Sequence, residues 1–563
     1  MTERTRRMRR VAVAALGAIT ALTLAGCVTI PSSGSVLVGR EVSDQGLQGR
    51  TEFLLEGPVE GADQEAILTG FIAAYSGTGN YDVARQFLAE GFDEEWDPRE
   101  SVLVRTGSWH IDRVGETAME YSIVNNAIVD RDGVYTSFAP TPHTLGYEFV
   151  LEDGEWRISA APDGIVLSSG TFEEFFKVHA IYYLDPTGRF LVPDLRWYPS
   201  GTAAGRIVSA ILNGPPSWLE GAVTTAFPEG TQLAPPKRVT VESGIAQIDL
   251  SAEALAASDG QRQLMRAQLE GSLRSLSIPS VELSVEGTPL TIPPLGPSAP
   301  QLRPQISNQL LVLRDDEFGF LAGDRITPID GLSNKIVSTE PRAVTLGADG
   351  ISAAVLGRDG VYLVRSAVEE PTLIDGRNGL IAPDLDPHGY LWSAQRAGAS
   401  SIRVFDTNGN VFPIQTTLPA DAQIAAISVS RDGARIAILL RTESGPRVQV
   451  GAIIRDQNRD QVPLSIGDAR IDAAAGSGDP VDVTWMDELT VATLTGSDDD
   501  FSVTSFQVGG KSRSLGSPGV ATAIIGGTSE NGLRVLRADG VVAIKRPSGW
   551  QAGPEVSLIA MQR

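Results

Sequence analysis

"IAAISVSRDGARIAILLR", residues 424–441, decides the fold of the C-terminal half. Two runs of small and β-branched apolar residues flank the tripeptide Arg431-Asp432-Gly433, so the stretch reads as strand, tight turn, strand. The same pattern recurs with the turns "ADG", "PHG" and "SENG", and again around "MDEL". Asp349, His388, Asp432, Asp487 and Glu530 mark successive copies, separated by 39, 44, 55 and 43 residues. A four-strand propeller blade takes roughly 40–50 residues. Residues 305–563 therefore predict a β-propeller of about six blades. A pair of β-sandwich sheets is the alternative, but recurrence at blade length favours radial repetition, which leaves only short edges to protect.

Upstream of the repeats, residues 291–304 are proline-rich and read as a semi-rigid extended spacer. Residues 176–290 predict a small α/β domain. "HAIYYLD" and "RFLVPDLRWYP" read as strands. A helix starts at Ser200 or Thr202, buries Ile207, Ala210 and Ile211, and stops at Asn213-Gly214-Pro215. "IAQIDLS" alternates as a strand, Ser258 caps a helix with Met265, Leu269, Ser272, Leu273 and Leu276 on one face, and "SVELSVEG" is a last strand. Residues 56–175 predict an α+β domain. Asp63 caps a helix through "DQEAILTGFIAAY" and "YDVARQFLAEGF" reads as a second helix. Strands follow near 102–104, 121–124, 134–138 and 147–151, and "EDGEWRIS" turns into a final one. Trp156 reads as core or rim.

The N-terminus sets the compartment. Residues 1–10 are basic, 11–25 are apolar, and Ala25 and Gly26 are the small residues that precede a cleavage site. A membrane span needs about 20 apolar residues, so this stretch reads as a signal peptide, 1–26, rather than a span. Cys27 is the only cysteine in 563 residues. A disulfide framework and a cysteine zinc cage are thereby excluded. Residues 27–55 are rich in Ser, Gly and Gln and read as a flexible tether.

Net charge is −23, and residues 1–26 hold five Arg and one Glu, so the remainder carries −27. Such a body repels phosphate backbones, which argues against nucleic acid as a ligand, and it repels anionic lipid equally. Attachment to a membrane must then be covalent or hydrophobic. Only five of the 46 basic residues are lysine, a skew expected of a GC-rich genome.

The usual catalytic patterns fail. "GGKS" at 509–512 has Ser505 where a phosphate loop needs glycine. "GTGNYD" at 77–82 lacks the third glycine of a dinucleotide fingerprint. There is no G-x-S-x-G elbow. Asp498, Asp499 and Asp500 lack the glycine and distal glutamate of a calcium loop and read as a hairpin tip. Glu94 and Glu95 read as polar surface beside a buried Trp96. No catalytic, metal or cofactor residue is assigned.

Several segments carry resemblances. Leu24-Ala25-Gly26-Cys27 resembles the bacterial lipobox, which implies cleavage after Gly26 and an N-palmitoyl, S-diacylglyceryl cysteine at Cys27. The element order of residues 56–175, with its G-x-W-R-I ending, resembles nuclear-transport-factor-like domains. "IYYLD", "ILNGPP", "FPEGTQL", "IAQIDLS" and "VELSVEGTPL" resemble the GerMN domain, which implies a binding or scaffolding module. Taken in order, lipobox, α+β domain, GerMN module, proline spacer and propeller resemble the actinobacterial lipoprotein LpqB family. That resemblance implies a non-enzymatic accessory of the Mtr two-component system. Such an accessory is lipid-anchored outside the cell membrane and binds the extracellular part of the sensor histidine kinase, with effects on cell wall and division. A propeller hydrolase with His388 at its mouth, or a glycan-binding wall protein, is the alternative.

Overall fold

The computed structural model describes residues 56–76, 81–304, 306–307, 309–398 and 401–563. The signal peptide, the lipobox with Cys27 and the tether lie outside the described residues. From Leu55 to Arg563 the chain forms one compact unit, with three architectures in sequence.

The first is a helix-packed antiparallel sheet. Helix α1, Gln64–Ala73, starts as expected: the Asp63 carboxylate accepts from the Ala66 amide at 2.9 Å. The second predicted helix does not propagate beyond Asp82–Arg85. The reason is tertiary. The Ala89 amide donates to the Ile158 carbonyl and the Ile158 amide to the Phe87 carbonyl, which draws this segment onto the sheet. Strands β1 (Ser101–Arg113), β2 (Ala118–Asp130), β3 (Tyr135–Glu152), β4 (Glu155–Ala160) and β5 (Ile165–Ser168) form the order β4-β3-β2-β1-β5. The two strands expected at 134–138 and 147–151 are one, because 141–146 also pairs along β2, with a register shift that skips 138–140 and its Pro140. The fifth strand runs parallel to β1. Trp96 is 1% exposed and packs with Phe71 and Tyr75, its indole donating to the Pro162 carbonyl at 3.1 Å. Trp156 is half-buried against this core.

The second architecture begins with a hairpin, β6 (Phe176–Leu184) and β7 (Leu191–Pro199). A four-stranded sheet follows, built on β8 (Thr240–Glu242), β9 (Ile245–Leu250), β10 (Ser280–Val285) and β11 (Thr288–Pro289). Its helices are Ala203–Leu212 and Asp259–Leu273. Thr202 is the N-cap position of the first, without a side-chain bond, and Gly214 takes φ +89° just past its end. Ser258 forms the capping box with Gln261. The proline spacer is not free: Arg266 and Gln263 donate to the carbonyls of Ile292, Pro293 and Pro294.

The third is all-β. Four-stranded sheets start at Ala343, Asp384, Gln423, Asp479 and Ala521. A further blade is completed by both ends of the domain, because strand Leu558–Gln562 pairs antiparallel with β12, Leu310–Arg314. The same strand runs parallel to Ala343–Leu346 of the next blade. Six blades result, the first closed by the last strand in sequence. Each of the five markers lies in the link between the first and second strands of its blade.

Candidate functional site

Two places concentrate buried polar chemistry. They are the strand where the three architectures meet and the propeller face that this strand and the spacer cover.

Strand β7 is buried from Leu191 to Tyr198. It carries Asp194 and Arg196, charged residues that a strand buried on both faces tolerates only when paired. Arg196 pairs with Asp194, and the Trp218 indole donates to the same carboxylate at 2.8 Å. Burial pulls the Arg196 pKa down, and the Asp194 charge more than reverses this, so Arg196 stays firmly protonated. Toward the first domain, Arg196 and the Tyr198 hydroxyl both donate to the Asp132 carbonyl, at 3.0 and 2.9 Å. Burial pushes the Tyr198 hydroxyl up to about 12, which keeps it a donor. The Trp197 ring packs on Tyr135 and Phe172 of the first domain at 5.2 and 5.1 Å. Toward the propeller, the Trp197 indole donates to the Gly509 carbonyl at 3.4 Å, and Lys511 lies over the same ring and pairs with Glu173. Residues 509–512, the rejected phosphate-loop look-alike, are thus a turn at this junction. The apolar core of the second domain is continuous with Leu439, Val448, Val483 and Trp485 of the propeller.

The marker turns share a device. Asp349, Asp432 and Asp487 each accept through one carboxylate oxygen from the backbone amide two residues on. In the third blade His388 holds the marker position, directly before Gly389 as Asp349 and Asp432 precede Gly350 and Gly433, and the carboxylate that accepts from an amide two residues on is Asp386, from the His388 amide at 3.0 Å. Asp386 also receives Arg455 at 2.7 Å and the Trp392 indole at 3.1 Å, and these partners leave it no free role in proton transfer. Burial, with Arg455 nearby, lowers the His388 pKa. No group of three or more His, Cys, Asp or Glu suited to a metal ion exists among the described residues. Glu94 and Glu95 are exposed beside buried Trp96, and Asp500 begins a hairpin strand paired with Ser497.

Between the spacer and blades 4 to 6 lies a cleft of about 190 Å3. Its walls are Arg303 and Pro304 of the spacer and Arg431, Asp432 and Arg435 of the fourth-blade turn, with Asp487, Glu488 and Thr528 from the next two turns. Arg435 pairs with Asp432, donates to the Glu488 carbonyl at 2.9 Å and lies 4.6 Å over the Trp485 ring. Arg303 pairs with Glu488 at 2.5 Å. Deeper, at the start of the inner strands, Arg563 grips Asp384, its Nε at 2.7 Å and its Nη2 on the second oxygen. Burial raises the Asp384 pKa against the pull of Arg563. Asp482, half-buried on the first strand of blade 5, is raised to about 7 by burial, although it accepts from the Ile524 amide at 2.9 Å and from that of Val483. A second cleft, about 250 Å3, opens in the first domain between Ile72, Arg105, Trp109, Tyr121 and Leu167. Trp109 is 42% exposed at its rim.

The fold and these junctions define a three-domain protein of α+β, GerMN-type and propeller modules. The family model for the N-terminal domain of lipoprotein LpqB matches residues 57–173, and the model for the lipoprotein LpqB β-propeller domain matches 316–559. The Germane model, described as sporulation and spore germination, matches 180–291 between them. The chain is similar to lipoprotein LpqB of Thermobifida fusca (strain YX), 26% identical over 521 residues, which are 80% of this chain and 82% of the relative. It is 24% identical to lipoprotein LpqB of Mycobacterium ulcerans (strain Agy99) over 87% of this chain and 89% of the relative. The chain belongs to the LpqB lipoprotein family.

Proposed function

We propose that the chain is exported, cleaved after Gly26 and acylated on Cys27, so that its acidic body is held by lipid on the outer face of the cell membrane. One acyl chain binds reversibly, whereas two or more anchor stably. There it acts without catalysis as an accessory that binds the extracellular part of a sensor histidine kinase. The observation that carries this reading is family membership, with LpqB domain models at 57–173 and 316–559 on both sides of the Germane match. Supporting it, β7 unites three modules into one body behind a single tether, so a contact made by any module is felt by the others. Binding biases a sensor only through different affinities for the sensor's states.

The test is in-cell crosslinking of the full chain, followed by identification of what is captured. Capture of a kinase ectodomain by the parent, reduced for Cys27→Ala, supports the reading. Capture of wall polymer alone, or turnover of wall fragments by the purified protein, overturns it in favour of a glycan-binding or hydrolytic role. Deleting the propeller is a poor substitute, because the second domain shares its core with it.

A further inference from the structure

The cleft of the first domain is shaped by two irregularities in one strand. Directly opposed residues of an antiparallel pair share a face, and a one-residue shift sends a side chain to the other face. β1 pairs Val104 with Ala127 and then Arg105 with Asn125, both partners buried, so the shift turns Arg105 inward beside Val104. A second shift leaves 107–109 bulged between the pairs Thr106–Val124 and His110–Ser122, and Gly107 takes φ +69° there. From this bulge Trp109 meets Tyr121 edge-on, the ring centroids 5.6 Å apart. Bulges re-aim side chains and are over-represented beside functional sites. The Arg105 guanidinium carbon lies 5.9 Å from the Trp109 ring centroid. Its charge also opposes the rise that burial gives the Tyr121 pKa. Neither group is sealed, since Trp109 is 42% exposed and Arg105 half-buried.

Among the described residues lining the cleft, Arg105 is the only charged one, although the chain as a whole carries −23. It joins no ion pair among the described residues, and its Nη1 donates only weakly, to the Gly107 carbonyl at 3.4 Å. Ile72 of α1 and Val166 and Leu167 of β5 supply apolar wall. The Ser168 and Thr171 hydroxyls in the lining are already bonded to each other at 2.7 Å. An accessible cation beside apolar wall calls for an anion with an apolar body. The guanidinium fork suits a planar carboxylate. The cleft volume, about 250 Å3, at about 30 Å3 per water holds a body of roughly eight heavy atoms. We propose that this cleft binds a small amphipathic monocarboxylate, its carboxylate on Arg105 and its apolar body against Trp109, Ile72, Val166 and Leu167. An amine is repelled by Arg105, and a bare inorganic anion leaves the apolar wall wet. This goes beyond the accessory role and does not depend on the identity of the kinase.

The experiment is calorimetric titration of the purified full chain in lipid nanodiscs at neutral pH, with empty nanodiscs as the blank. The ligands are 3-phenylpropionate and octanoate. 3-Phenylpropanol removes the charge, 3-phenylpropylamine reverses it, and acetate removes the apolar body. At least one of the two acids is expected to saturate, and the three controls to bind about tenfold more weakly or worse, which is about 1.4 kcal/mol. Arg105→Gln and Trp109→Ala should each weaken the acid about tenfold. Thermal melting run alongside limits the comparison to folded variants, and Trp109, on the rim, can be changed even if Arg105→Gln fails to fold. The proposal is overturned if neither acid saturates, if the alcohol, the amine or acetate binds as tightly as the acid, or if a folded variant binds like the parent. Binding of the peptide N-acetyl-Ala-Ala-Phe without binding of either acid also overturns it, in favour of a protein C-terminus as the occupant.

Discussion

Replacing Arg563 with methionine isolates the ion pair at the propeller's interior from the strand that carries it. Methionine keeps the apolar stem and removes the guanidinium, leaving Asp384, 2% exposed, without its cation. Removing one member of a buried pair costs about 3–5 kcal/mol. Asp384 keeps the Leu385 and Val429 amides at 2.8 and 2.7 Å, which places the loss toward the lower end. At roughly 2–4 °C per kcal/mol for a domain of this size, differential scanning calorimetry at pH 7 should show the propeller transition lowered by roughly 6–12 °C. The pH dependence gives the sign. With Arg563 gone, burial acts on Asp384 unopposed and its folded pKa rises further above the unfolded value of about 3.9. The folded state then binds the extra proton, so the variant loses stability as pH rises through that interval and recovers it as pH falls. Its deficit against the parent should therefore shrink from pH 8 to about pH 5. A melting point within about 2 °C of the parent at pH 7, or a deficit constant across that range, would refute the assignment of Arg563 as the charge that opposes the effect of burial on Asp384.

Other outcomes follow from the same geometry. Asp482→Asn should flatten part of the pH dependence. The folded pKa of about 7 lies above the unfolded value, so the parent loses stability as pH rises from about 4 to 7. The difference between parent and variant in urea midpoint should be largest near pH 8. Trp218→Ala removes an indole that is 7% exposed and donates to Asp194. The expected loss is about 3–5 kcal/mol, with proteolytic cleavage appearing between residues 200 and 240 before the propeller is cut. Asp63→Ala should cost about 1 kcal/mol through the lost N-cap, read as a small fall in chemical-denaturation midpoint. Cys27→Ala should move the protein from the membrane pellet to the soluble fraction on cell fractionation; retention in the pellet would count against lipidation as the anchor.

The propeller was legible because its signal is repetition. Turn residues at near-blade spacing survive in any one sequence, and all five markers fall between first and second strands. In "DPHG" the marker His388 directly precedes the turn glycine as Asp349 and Asp432 do, while the carboxylate that caps this turn is Asp386. The second helix of the first domain was over-read because Val83, Ala84, Phe87 and Leu88 have helical spacing, whereas Phe87 and Ala89 give their backbone to Ile158. Proline at 140 and 142 hid the continuity of β3, which tolerates them on an exposed stretch. The functional clusters were less visible. "LVPDLRWYP" shows a strand, but nothing local says that both of its faces are covered, so the buried Asp194–Arg196 pair is not legible in it. The closing blade escaped for a similar reason: strand 558–562 and β12 are some 250 positions apart, a distance no periodicity bridges.

That closure imposes a timetable on biogenesis. A chain made from its N-terminus presents β12 long before Leu558–Gln562 exists, so the ring stays open, with an unpaired strand edge, until almost the whole propeller has emerged. Interruptions in synthesis, or clipping of a few C-terminal residues, would leave a molecule with five complete sheets and a templating edge. Only chains that carry residues 558–563 can pair β12 in this way and set Arg563 on Asp384.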